Sequence, residues 1–93
     1  DTSDIFYIES QGHDLIYHTA NDTYRSSESM KSAEEKLKDS NFSRGNKCYL
    51  INLEHVDGIQ QKCAIVKGQH LQLSRPRMNA FMQDLTRYWG EKQ

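Results

Sequence analysis

The stretch NFSRGNKCYLIN, residues 41–52, sets an aromatic, a cation and a glycine ahead of a polar pair and an apolar run. Phe42 and Tyr49-Leu50-Ile51 favour burial, whereas Arg44 and Lys47 favour water or an anion. The apolar run predicts a short strand that continues through Leu53. Gly45, just before Asn46 and Lys47, predicts a tight loop at the mouth of that strand. Phe42 and the strand would anchor the loop in the core and hold Arg44, Asn46 and Lys47 outward.

Upstream, DIFYIES (4–10) and DLIYHT (14–19) are rich in β-branched and aromatic residues and read as strands joined by the QGH turn at 11–13. A second turn, AND at 20–22, leads into TYRSS, so the chain opens as a β-meander. The period then changes. In SMKSAEEKLKD, Met30, Ala33 and Leu37 form one stripe of a short helix, with Ser29 as its N-cap. Downstream, EHVDGI, KCAIVK and HLQL read as further strands, the last two separated by a turn at Gly68. The final segment is helical: Ser74 is placed to cap it and Pro76 lies in its first turn. Met78, Phe81, Met82, Leu85 and Trp89 form its apolar stripe. The expectation is one mainly β domain of antiparallel sheets with two short helices.

The whole chain of 93 residues is 35% hydrophobic and 27% charged, a globular balance that allows a single core. No apolar run approaches the ~20 residues of a membrane-spanning helix, so a soluble domain is expected. Asp1-Thr2-Ser3 is not a signal peptide, and the abrupt start suggests a piece of a longer protein. Cys48 and Cys63 match no common zinc spacing and read as reduced, partly buried thiols. Net charge is −1, but residues 1–43 carry 4 Lys/Arg against 9 Asp/Glu, while residues 44–93 carry 8 against 4. That asymmetry points to a one-sided basic surface suited to a polyanion.

Enzymatic signals are absent from the sequence. It has no P-loop, no G-x-G-x-x-G, no H-E-x-x-H and no C-x-x-C, and its four histidines are scattered. No catalytic, metal or cofactor residues are assigned. Three spots look like binding elements: Gln11 and His13 in the first turn, Arg44, Asn46 and Lys47 in the middle loop, and Arg75 and Arg77 at the start of the last helix. Arg and Lys pair with guanine or phosphate, and Asn or Gln with adenine. A cation opposes the dipole at a helix N-terminus, so Arg75 and Arg77 make most sense if an anion docks there.

Taken together, DIFYIESQGHDLIYHT, SMKSAEEKLKD, NFSRGNKCYLINLEHVDGI and LQLSRPRMNAF resemble the LytTR-type DNA-binding domain of bacterial response regulators, in the LytR/AlgR family. The resemblance covers Asp4 to about Trp89. The family signature F-x-R-x-H-R/N-S-aromatic-apolar-apolar-N is matched by Phe42, Arg44, Tyr49, Leu50, Ile51 and Asn52. Asn46 stands where His is usual, Lys47 where Arg or Asn is usual, and Cys48 where Ser is usual. Lys47 lacks the planar fork of Arg, so the base read at that position is expected to differ.

The resemblance implies an elongated fold whose loops, rather than a recognition helix, enter the grooves of double-stranded DNA. It implies base contacts from His13, Lys47 and Arg75, and phosphate or supporting roles for Arg44, Asn46, Arg77 and Gln11. It also implies promoters with paired direct repeats and a homodimer formed through a receiver domain on which a sensor histidine kinase acts. Residues 1–93 would then be the C-terminal effector domain of a longer regulator, with a core of about 4–89. From the residues alone, a module that binds a protein or acidic peptide through the same basic loops remains the alternative.

Overall fold

The computed structural model describes residues 1–92. Its strands and helices run β1 (Ile5–Gln11), β2 (Asp14–Thr19), β3 (Thr23–Ser26), α1 (Met30–Lys36), β4 (Phe42–Asn46), β5 (Tyr49–Asn52), β6 (Val56–Gln60), β7 (Cys63–Val66), β8 (Gln69–Gln72) and α2 (Arg75–Glu91). Single 3-10 turns precede β1 (Thr2–Asp4) and join β5 to β6 (Leu53–His55). Every pairing is antiparallel, in a five-stranded sheet of order β3-β2-β1-β5-β4 and a three-stranded sheet β6-β7-β8. The mainly β, antiparallel architecture expected from the sequence is therefore present.

The larger sheet is covered on both faces, which explains why its central strands lack a clean apolar–polar alternation. Successive side chains of a strand point to opposite faces. Accordingly Ile8 and Leu50 meet Ala33 and Leu37 of the α1 segment on one side. Their neighbours Tyr7 and Ile51 join Val66, Leu71, Leu73, Phe81 and Leu85 on the other, where the small sheet and α2 pack. Ile8, Ile51, Phe81 and Leu85 are all 0% exposed, and each full burial is worth about 1.5–3 kcal/mol. Ser29 caps α1 as its spacing suggests, its hydroxyl accepting from the Ser32 N–H at 3.0 Å.

Several local expectations change. Residues 42–46 form a strand, β4, so the middle loop shrinks to the two-residue turn Lys47-Cys48. Gly45 does not reverse the chain. It is the extra residue of a bulge between Arg44, opposite Leu50, and Asn46, opposite Tyr49. A Cβ there would lie 2.8 Å from Ile51 Cδ1 and 2.9 Å from Leu73 Cδ2, so glycine allows the two sheets to approach.

Helix α2 has 17 residues and is not short. Its buried stripe is Phe81, Leu85 and Tyr88, whereas Trp89 is 42% exposed. On a 3.6-residue helix, position 88 lies over 81 and 85 while 89 falls on the flank beside Met82. The molecule measures 34 × 28 × 25 Å, less elongated than the resemblance implies. Strand β7 begins at Cys63, leaving Lys62 in the preceding turn.

Candidate nucleic-acid interface

Backbone hydrogen bonds gather the expected spots at one end of the molecule. Glu9 of β1 pairs with Tyr49 of β5, and the Ser10 N–H donates to the Cys48 carbonyl at 2.9 Å. The Lys47-Cys48 turn therefore lies beside the last residues of β1. The Gly12-His13 turn continues past it at the same end of the sheet, by roughly 7–10 Å at the rise of a strand. From the other side, the Ser74 N–H donates to the Gly45 carbonyl at 2.9 Å, bringing the start of α2 against β4. A concave surface of about 750 Å³ between these elements is lined by Glu9, Lys47, Tyr49, Gln72, Ser74 and Arg77, among others.

Arg44 faces inward, with a side chain only 13% exposed. Its Nε donates to the Asn46 carbonyl (3.2 Å), one terminal nitrogen to the Lys47 carbonyl (3.1 Å) and the other to Glu34 of α1 (2.9 Å). Alternation along β4 accounts for that direction, since Arg44 shares a face with Phe42, which packs on the α1 side. Ser43 points the other way and donates to Asp84 of α2 at 2.7 Å. The bulge at Gly45 then breaks the alternation and re-aims Asn46. The Asn46 Nδ2 donates to the Gln72 carbonyl at 2.6 Å, and its Oδ1 accepts from the Cys48 N–H at 2.6 Å.

Lys47 and Arg75 are exposed and Arg77 is half-buried, and among the described residues none of the three has an acidic partner. By contrast Arg25, Lys36, Lys38, Arg44 and Arg87 are each paired with a carboxylate. Arg75 is the first residue of α2, as its place in the sequence suggests. Ser74 occupies the N-cap with extended backbone, yet its hydroxyl makes no capping bond, which leaves the helix end open. His13 is exposed at the tip of its turn. Gln11 is also exposed but accepts a 3.4 Å hydrogen bond from Arg25, which is itself paired with Asp14.

Charge in the groove is moderated by pairing. Glu9 lies 2.8 Å from His18 Nε2, and the His18 ring stacks on Tyr7 with centroids 4.2 Å apart. Burial pushes the Tyr49 hydroxyl above its ordinary range, and the nearby Glu9 carboxylate adds to the shift. Tyr49 thus remains a neutral hydroxyl on the wall beside Lys47. Cys48 and Cys63 are both free and half-buried. Among the described residues no group of three or more His, Cys, Asp or Glu side chains converges to hold a metal ion, and no helix is long and apolar enough to cross a membrane.

One neighbour of this end has no signal in the sequence. The turn between β6 and β7 consists of Gln61 and Lys62, both exposed and both at positive φ (52° and 65°). The Lys62 carbonyl accepts from the Leu73 N–H at 3.0 Å, two residues before Arg75. IQQKC contains no Gly, Asn, Asp or Pro to announce a reversal, so Lys62 reads as the start of a strand.

A family model described as LytTr DNA-binding domain matches residues 1–86. Among solved structures, the fold is similar to the LytTr DNA-binding domain of a protein described as a methyl-accepting/DNA response regulator from Bacillus cereus. The TM-score is 0.79 over 89% of this chain and 82% of that one, at 21% identity, a likeness of fold. No curated protein matches the sequence. Because the family model spans nearly the whole chain, the chain belongs to the LytTr DNA-binding domain family.

Proposed function

We propose that this domain binds double-stranded DNA sequence-specifically along the end that carries His13, Lys47 and Arg75, and so regulates transcription as the effector of a two-component response regulator. The observation that carries the reading is the gathering of unpaired cations at one end. Arg25, Lys36, Lys38, Arg44 and Arg87 are each held by a carboxylate, whereas Lys47, Arg75 and Arg77 have no acidic partner among the described residues and lie on adjoining elements. Unpaired cations on rigid turns reach phosphates and guanine edges without first breaking an ion pair.

Lys47 and Arg75 contact bases and His13 reaches the adjacent groove, while Arg77 and the open end of α2 hold a phosphate. Arg44 and Asn46 support these contacts from behind. In the full regulator, one domain would occupy each of two direct repeats. A receiver domain acted on by a sensor histidine kinase would pair the copies in the cytoplasm. No catalytic step is assigned to the chain.

Binding to duplexes selected from a random pool tests this reading by fluorescence anisotropy at several salt concentrations. If Lys47, Arg75 and Arg77 each displace about one counterion from the duplex on docking, log K falls against log salt with a slope of about −3, and further phosphate contacts steepen it. A flat dependence, or equal affinity for an acidic peptide and the selected duplex, would overturn it.

A further inference from the structure

We infer that the β6–β7 turn is a fourth DNA-contacting element, with Lys62 neutralising a phosphate next to the position read by Arg75. This inference rests on the DNA-binding reading above. Three observations lead to it. Lys62 is exposed and, among the described residues, has no acidic partner. Its own carbonyl is bonded to the Leu73 N–H, so the turn is fixed against the segment that leads into Arg75. The adjoining stitches from Asn46 to Gln72 and from Ser74 to Gly45 hold the Lys47 turn against the same segment. Turns from both sheets and the start of α2 are thereby held side by side.

The backbone of this turn points the same way. A two-residue reversal with both residues at positive φ is most easily made by Asn-Gly. Here Gln61 and Lys62 hold that conformation, whereas the reversal at the other end of β7 places Gly68 at its second position. Keeping long polar side chains where glycine fits better is strain retained beside a candidate binding surface. The contact is assigned to phosphate rather than to a base because an ammonium on a flexible stem is a point charge without the fork of Arg.

The test replaces Lys62 with Gly, which suits the left-handed backbone and preserves the turn. Anisotropy is measured on the selected duplex and on a scrambled duplex of the same length. Lys62→Gly is expected to weaken both by a similar factor, about three- to tenfold, and to make the salt slope shallower by about one. Lys62→Arg should restore both quantities. Lys67→Ala, in the turn at the opposite end of the small sheet, should change neither.

If the wild-type domain binds with a steep salt dependence and Lys62→Gly matches it, the inference falls while the DNA-binding reading stands. Loss confined to the selected duplex would equally overturn the phosphate assignment. A wild type without affinity for either duplex removes the reading and this contact with it.

Discussion

The Asn46 side-chain amide donates to the Gln72 carbonyl at 2.6 Å while its oxygen accepts from the Cys48 N–H at 2.6 Å. One side chain therefore shapes the Lys47 turn and ties the larger sheet to the end of the smaller one. Replacing Asn46 with Ala should lower stability by about 1–3 kcal/mol, two ordinary hydrogen bonds' worth. It should also weaken DNA binding, although Asn46 itself faces the protein. Urea denaturation beside anisotropy checks both effects, and a loss of affinity with unchanged stability would instead mark Asn46 as a direct contact.

The three tips should behave oppositely. His13→Ala, Lys47→Ala and Arg75→Ala each remove an exposed side chain. Stability should change by no more than about 0.5 kcal/mol, while affinity for the selected duplex falls by about 1–3 kcal/mol per base contact. Competition with single-base variants of the duplex then shows which base each residue reads.

Arg44 separates support from contact. Its guanidinium holds two carbonyls of the turn and Glu34, so Arg44→Ala should destabilise the domain and blur discrimination between duplexes. Arg44→Lys cannot reproduce three bonds from one planar group and should not rescue it. Glu34→Gln, at a half-exposed carboxylate, should cost less than about 1 kcal/mol. Thermal melts of the three variants give the ranking.

Gly45→Ala places a methyl within 3 Å of two core side chains, Ile51 at 0% and Leu73 at 2% exposure. Overpacking of this kind costs about 1–3 kcal/mol. The variant should melt lower and bind DNA more weakly. Leu73→Ala, destabilising by itself as a buried truncation, should cost less on the Gly45→Ala background than alone, a coupling that a double-mutant cycle measures.

Acid should loosen the α1 side of the domain. Burial pushes the Glu28 carboxyl upward, but hydrogen bonds from Lys36, Tyr17 and Ser26 outweigh it and hold the group below its ordinary 4.5. A depressed folded-state value contributes stability that is present above the unfolded value and lost as pH falls through the folded one. Stability should therefore drop below about pH 4.5, and Glu28→Gln should flatten that part of the curve. Chemical denaturation across pH 3–7 reads it. On the other side of the same bond, burial and the Glu28 carboxylate push the Tyr17 hydroxyl upward.

What the sequence reveals follows from how local each feature is. The first two strands, the Ser29 cap and the Pro76 start of α2 depend on neighbouring residues, and they are visible in composition and period. The signature through Phe42, Arg44 and Tyr49–Asn52 is equally local, and it is enough to point to the family. The function of Gly45 is not visible, because Leu73 is brought against it by tertiary packing. Lys62 escapes for the same reason, since a reversal built on Gln and Lys lacks turn residues. Tyr88 rather than Trp89 enters the core because packing against the sheets selects the Phe81–Leu85 face from a broad apolar stripe, and the stripe alone does not show which edge is buried.

The joins between Asn46 and Gln72 and between Gly45 and Ser74 stitch the larger sheet to the β8–α2 segment at the cationic end. On the proposed reading, neither half would hold DNA alone. Opening either one would part these joins, so a partly melted copy is expected to release its target instead of clasping it out of register.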